Sequence, residues 1–111
     1  MQRPTPGNWP ATREYTRFLI DLRIVVRTST KLYGRSKDLG EGGMGATVFG
    51  DLNIGEIVEV EFHPPETESP ITIFAEVRYR QGFQYGFRFI NPSDRQRAMV
   101  RQATRNLPMV I

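Results

Sequence analysis

Two stretches of this chain hold side chains whose types and spacing could do chemistry together. The first is Arg13-Glu-Tyr-Thr-Arg17, two arginines four residues apart beside the first apolar run. The second is Ser36 to Phe49, SKDLGEGGMGATVF, where Asp38 leads into Gly40, Gly42, Gly43 and Gly45. An arginine fork grips phosphate or a guanine edge at two points and stacks on flat rings. A carboxylate accepts from guanine's ring and exocyclic N–H groups, and tight glycine turns let backbone N–H groups approach phosphate. Together the two stretches suit a small, flat, phosphate-bearing ligand. On the residues alone a second reading stands beside it: Arg13 and Arg17 as ordinary surface charges, and the glycines as a bulged turn.

Other chemistries find little support. The single histidine, His63, stands next to two prolines, and nothing marks a base beside a serine nucleophile. One histidine and no cysteine make a poor zinc set. Glu59 and Glu61 alternate with apolar residues, which places them on a solvated strand face. Gly40-x-Gly42-x-x-Gly45 formally matches a dinucleotide fingerprint, but that motif needs a following helix N-terminus, and GATVF reads as strand. The expectation is a binding module, not an enzyme, with no cofactor and no metal.

The elements that must position these residues are mostly strands. Phe18, Ile20, Leu22, Ile24 and Val26 fall on one face, with Asp21, Arg23 and Arg27 on the other, a period of two that argues for a half-buried strand. Thr28 to Gly34 turns toward the glycine stretch, read as a shaped loop. Met44 to Phe49 is the next strand. Glu56 to His63 alternates again, with Val58, Val60 and Phe62 inward. After a proline-rich loop, Ile71 to Arg80 and Phe83 to Ile90 form two strands joined at Gln81-Gly82. Phe83, Tyr85, Phe87 and Phe89 share one face, as a core row does. Asn91 as cap and Pro92 as first residue open a terminal helix that packs through Met99, Ala103 and Leu107 and turns Arg95, Arg97, Arg101 and Arg105 to solvent. The fold class expected is mainly β: a small closed or split antiparallel β-barrel of five or six strands with a C-terminal α-helix.

One domain is expected from 111 residues, with 1–12 an extended leader carrying Trp9 and 13–111 the barrel. No apolar run approaches the ~20 residues that span a bilayer, and the N-terminus lacks a signal-peptide core, so a cytoplasmic protein without membrane insertion is expected. Of the 15 basic residues 13 are arginine, and charge is uneven: residues 36–70 carry eight acidic groups against one basic. That acidic middle counts against a single-stranded nucleic-acid partner.

Arg13-x-x-x-Arg17 before a strand, followed by Asp38-Leu39-Gly40-Glu41-Gly42-Gly43, resembles the PilZ domain family. Tyr85-Gly86-Phe87-Arg88-Phe89 running into Asn91-Pro92-Ser93 resembles that family's end. The resemblance spans about Arg13 to Arg105. It implies a six-stranded antiparallel barrel with a C-terminal helix and a bacterial receptor for cyclic di-GMP that relays the signal to an effector protein. Under it Arg13 and Arg17 match the arginine pair that grips and stacks on the ligand, Asp38 the acidic or amide position, and Gly43 the closing glycine. Gly40 stands where the family usually has serine. The alternative is a degenerate PilZ-like interaction module that has lost the ligand. Gly40→Ser is expected to restore a hydroxyl donor and tighten binding about tenfold.

Overall fold

A computed structural model describes residues 15–110. Seven strands are followed by one helix: β1 (Phe18–Leu19), β2 (Arg23–Arg27), β3 (Lys31–Gly40), β4 (Gly43–Val48), β5 (Ile57–Phe62), β6 (Ile71–Gln81), β7 (Gln84–Phe89) and α1 (Asp94–Ala103). All pairings are antiparallel, in the order β1-β3-β2-β5-β6-β7-β4, and β3 also pairs with β4. That last pairing closes six strands into a barrel and leaves β1 as an extra strand on β3. Closure removes the sheet edges that an open sheet of this size would expose. Among the described residues no helix is long and apolar enough to cross a membrane.

Alternation fills the barrel. Val58, Val60 and Phe62 of β5 point inward, as do Ile71, Ile73, Ala75 and Val77 of β6 and Tyr85, Phe87 and Phe89 of β7. Each large apolar side chain so buried contributes about 1.5–3 kcal/mol relative to exposure. Arg27 meets Glu61 across the β2–β5 pairing at 2.6 Å. Helix α1 closes one side of the barrel with Val100 and Ala103, and Met99 packs partly buried against the core.

Four local expectations are corrected. The single strand expected from Phe18 breaks at Ile20–Leu22, although the alternation of faces survives the break. Buried Ser36 explains it: its Oγ donates to Ile20 O (2.6 Å) and accepts from Leu22 N (2.9 Å), replacing ladder partners for both. The glycine stretch is not an open loop. β3 runs to Gly40, only Glu41-Gly42 turn, and Gly43 starts β4. The β6–β7 turn is Gly82-Phe83, with Gly82 at φ +63°, which leaves Phe83 exposed and outside the aromatic core row. The helix begins at Asp94, not at Pro92. Ser93 caps it reciprocally, its side chain accepting from Gln96 N while the Gln96 side chain accepts from Ser93 N. Asn91 instead sits at φ +44° in the preceding turn, and Leu107 lies beyond the helix end.

Candidate functional site

Asp38 reaches the outer side of the barrel wall through an irregularity in β3. Gly34 and Ser36 face inward, opposite Val48 and Ala46 of β4; then the register shifts between Ser36 and Asp38, which pairs with Gly45. The extra residue, Lys37, changes the phase of alternation. Without it Asp38 would share the inward face of Ser36. With it, Leu39 turns in and is fully buried while Asp38 turns out.

There Asp38 Oδ1 accepts from Arg17 Nη1 at 2.7 Å and from Gly45 N at 2.9 Å. Arg17 is 7% exposed and the Asp38 side chain 14%, so this is a charge-assisted pair largely withdrawn from water. Arg17 lies just before β1, and β1 is tied on both sides. It pairs with β3 through Phe18–Leu39 and Leu19–Asp38. On its other side Leu19 N donates to Pro108 O (2.8 Å) and Val110 N donates to Arg17 O (2.9 Å), around a bridge between Phe18 and Met109. The end of the chain therefore clamps the arginine's own backbone.

The glycines make room for this arrangement, and none of the four uses positive φ. A Cβ on Gly40 would come within 2.3 Å of Thr16 O and 3.1 Å of Arg17 Cδ. On Gly43 it would meet Phe87 O at 2.1 Å and Arg17 Nη2 at 2.7 Å. On Gly45 it would press on both Asp38 oxygens at 3.0 and 3.1 Å, and on Gly42 it would strike the Tyr15 ring at 2.8 Å. The hairpin is thus a smooth slot along which Tyr15, Thr16 and Arg17 lie in direct contact with backbone. Close approach, the second general use of glycine, is the one this sequence exploits.

The structure brings Arg17, Asp38, Gly40 and Gly43 together. Arg13 lies outside the described residues, as do the leader and Trp9. At Gly40 the space a serine side chain would need is occupied by the Thr16 carbonyl. Two helix arginines hold specific partners: Arg101 stays on the solvated face expected of it, whereas Arg97 is partly buried. Arg101 chelates Glu41 at the hairpin tip through Nε (3.0 Å) and Nη2 (3.2 Å). Arg97 donates to Asp94 (3.0 Å) and to the Tyr15 hydroxyl (3.2 Å). Hydrogen bonding to Glu41 raises the Arg101 pKa above its ordinary value, and the bonds to Asp94 and Tyr15 do the same for Arg97. Tyr15, Glu41, Arg101 and Arg105 line a groove of about 480 Å³ beside the hairpin tip. Tyr15 and the helix arginines were invisible to motif reading because their partners lie up to 82 positions away in sequence. His63 is exposed and its Nε2 lies 3.0 Å from Thr67 O. No cluster of three or more metal-ligating side chains occurs among the described residues.

No curated protein sequence matches the chain. The family description "PilZ domain" matches residues 11–106. Among solved structures, the PilZ domain of YcgR from Escherichia coli, solved with c-di-GMP, is 20% identical with a TM-score of 0.71, over 86% of this chain and 90% of that one. The Bacillus subtilis inhibitor of motility MotI/DgrA is 18% identical with a TM-score of 0.70, over 83% of this chain and 48% of its own. The PilZ domain of CeSA from a cellulose-synthesizing bacterium is 14% identical with a TM-score of 0.63, over 79% and 93%. The chain therefore spans about half of the motility inhibitor and nearly all of the two isolated domains, and at these identities the likeness is one of fold. The family match covers most of the chain, from the arginine pair through the glycine hairpin to the helix: this chain belongs to the PilZ domain family.

Proposed function

We propose that this protein is a cytoplasmic cyclic di-GMP receptor that signals to a partner protein. The observation that carries the reading is Arg17, fixed by Asp38 over a glycine-smoothed hairpin. A guanidinium held in one orientation has already lost the rotamer freedom that a flexible arginine would lose on binding. The glycines let Tyr15, Thr16 and Arg17 lie directly against the hairpin backbone, so the guanidinium is held at a fixed place beside the turn. Arg13 supplies the second fork from the segment that leads into Tyr15, and Asp38 acts as a positioning residue for Arg17 and an acceptor for guanine N–H groups. The module binds and does no chemistry.

The degenerate reading has one specific observation in its favour: Thr16 O covers the Gly40 position, where the family's usual serine would stand. Calorimetric titration with cyclic di-GMP separates the two. Saturable binding that weakens roughly ten- to hundredfold in Arg13→Ala and in Arg17→Ala supports the receptor, since a bidentate guanine contact is worth ~1–3 kcal/mol. Absence of binding to the wild-type protein establishes the degenerate module.

A further inference from the structure

The opposite end of the β3–β4 hairpin carries a surface that the ligand site does not use. Tyr33 stands seven residues from Gly40 along β3, about 23 Å by strand rise. It is 59% exposed. Phe49, whose N–H donates to Tyr33 O, is 62% exposed, and Phe83, whose carbonyl accepts from Val48 N, is 53% exposed. The two phenylalanine rings pack against each other at 6.5 Å, tilted by 54°. Three large aromatic side chains thus cross neighbouring strands in one outward row, and exposed rows of this kind mark interaction sites.

The flanks of the row are basic in an unusual way. Val25 pairs with Tyr33, and on either side of that pair the β2–β3 ladder sets like charges directly opposite: Arg23 against Arg35 and Arg27 against Lys31. Cross-strand like charges are destabilising. Asp21 relieves Arg35 and Glu61 relieves Arg27, but Arg23 and Lys31 have no ion-pair partner among the described residues. The two flanks lie about 13 Å apart, four residues along the strand.

We propose that this face is the output surface of the module and that its partner is an acidic protein segment. The segment sets apolar side chains on Tyr33, Phe49 and Phe83 and carboxylates on Arg23, Lys31 and Arg35. Charge complementarity identifies the occupant, because an acidic segment neutralises the two charges that the fold leaves unpaired. The aromatic geometry argues against single-stranded nucleic acid. Bases stack on successive, roughly parallel ring faces, whereas Phe49 and Phe83 are tilted by 54° to one another. Glu59 and Glu61 of the adjoining β5 also border the stripe, leaving it one hairpin wide. The surface gives the proposed relay a place to act, but it stands apart from the dinucleotide site.

The test is an amide chemical-shift titration of the labelled protein, without cyclic di-GMP, against a short synthetic peptide of glutamates around a central Leu-Phe. A charge-reversed lysine peptide and an oligothymidylate serve as comparisons. The glutamate peptide is expected to shift amides of β2, β3 and the Phe49 and Phe83 turns. Arg23→Glu with Lys31→Glu should weaken it about tenfold or more, and Tyr33→Ala should weaken it independently of charge. The charge reversals create opposite-charge pairs across the ladder, so thermal stability should hold or rise, and cyclic di-GMP binding should be unchanged. Shifts that map elsewhere, tighter binding of oligothymidylate to this face, or variants that bind the peptide as wild type does would each overturn the assignment. Because the dinucleotide is left out, failure here is distinct from failure of the receptor reading.

Discussion

Gly40→Ser is the substitution on which sequence and structure disagree in sign. The Cβ of any side chain at Gly40 would lie 2.3 Å from Thr16 O, while ordinary contact begins near 3.4 Å. The Thr16 carbonyl must therefore retreat by about 1 Å, and Arg17, whose Cδ is also within 3.1 Å, must move with it. Overpacking of this kind costs roughly 1–3 kcal/mol. If the retreat parts Arg17 from Asp38, the loss of a charge-assisted bond adds about 1.5–3 kcal/mol, felt mainly as release of β1. A loss of 1–3 kcal/mol corresponds to a fall in Tm of roughly 4–12 °C for a domain of this size. Calorimetry reads that fall. Hydrogen exchange reads its location, because the Leu19 and Val110 amides that clamp β1 should lose protection before the barrel does. Cyclic di-GMP binding should weaken, since Arg17 is no longer held in place. A serine variant with wild-type Tm, protected Leu19 and Val110 amides and tighter ligand binding would refute the reasoning.

Other substitutions probe the supports around the site. Asp38→Ala removes the acceptor of both Arg17 and Gly45 N, and should cost ~1–3 kcal/mol by denaturant unfolding and weaken cyclic di-GMP about tenfold. Ser36→Ala leaves Ile20 O and Leu22 N without their side-chain partner, with a similar ~1–3 kcal/mol loss, but should spare ligand affinity as long as β1 stays paired. Ser93→Ala breaks the reciprocal cap of α1 and should lower stability by about 1 kcal/mol, with faster exchange at the Gln96 amide.

Much of the barrel was legible because it rests on period-two alternation, which burial enforces strand by strand. Val58, Val60 and Phe62 could face only one way once Glu59 and Glu61 faced the other. The helix start was misplaced by two positions because Asn91 and Ser93 are both good caps, and only the Gln96 partnership decides between them. Cyclic di-GMP, Arg17, Asp38, Gly40 and Gly43 were named together through the family motif. Their geometry was not legible. The Lys37 bulge that turns Asp38 outward leaves no signature in composition, and the glycines read as a shaped loop when Gly40, Gly43 and Gly45 are paired strand residues clearing space for Arg17 and Asp38. The clamp of residues 108–110 on β1, the Glu41–Arg101 chelate and the row of Tyr33, Phe49 and Phe83 all join distant positions, which local patterning does not encode.

The proposed binding of cyclic di-GMP where Arg17 lies on the glycine hairpin is tested most directly by an amide chemical-shift map of the labelled protein with the dinucleotide. The largest shifts are expected at Tyr15 to Leu19 and Asp38 to Gly45, with an Arg17→Ala variant losing them at the same ligand concentration. Shifts concentrated at the far end of the β3–β4 hairpin around Tyr33 and Phe49, or a map unchanged by Arg17→Ala, would contradict it.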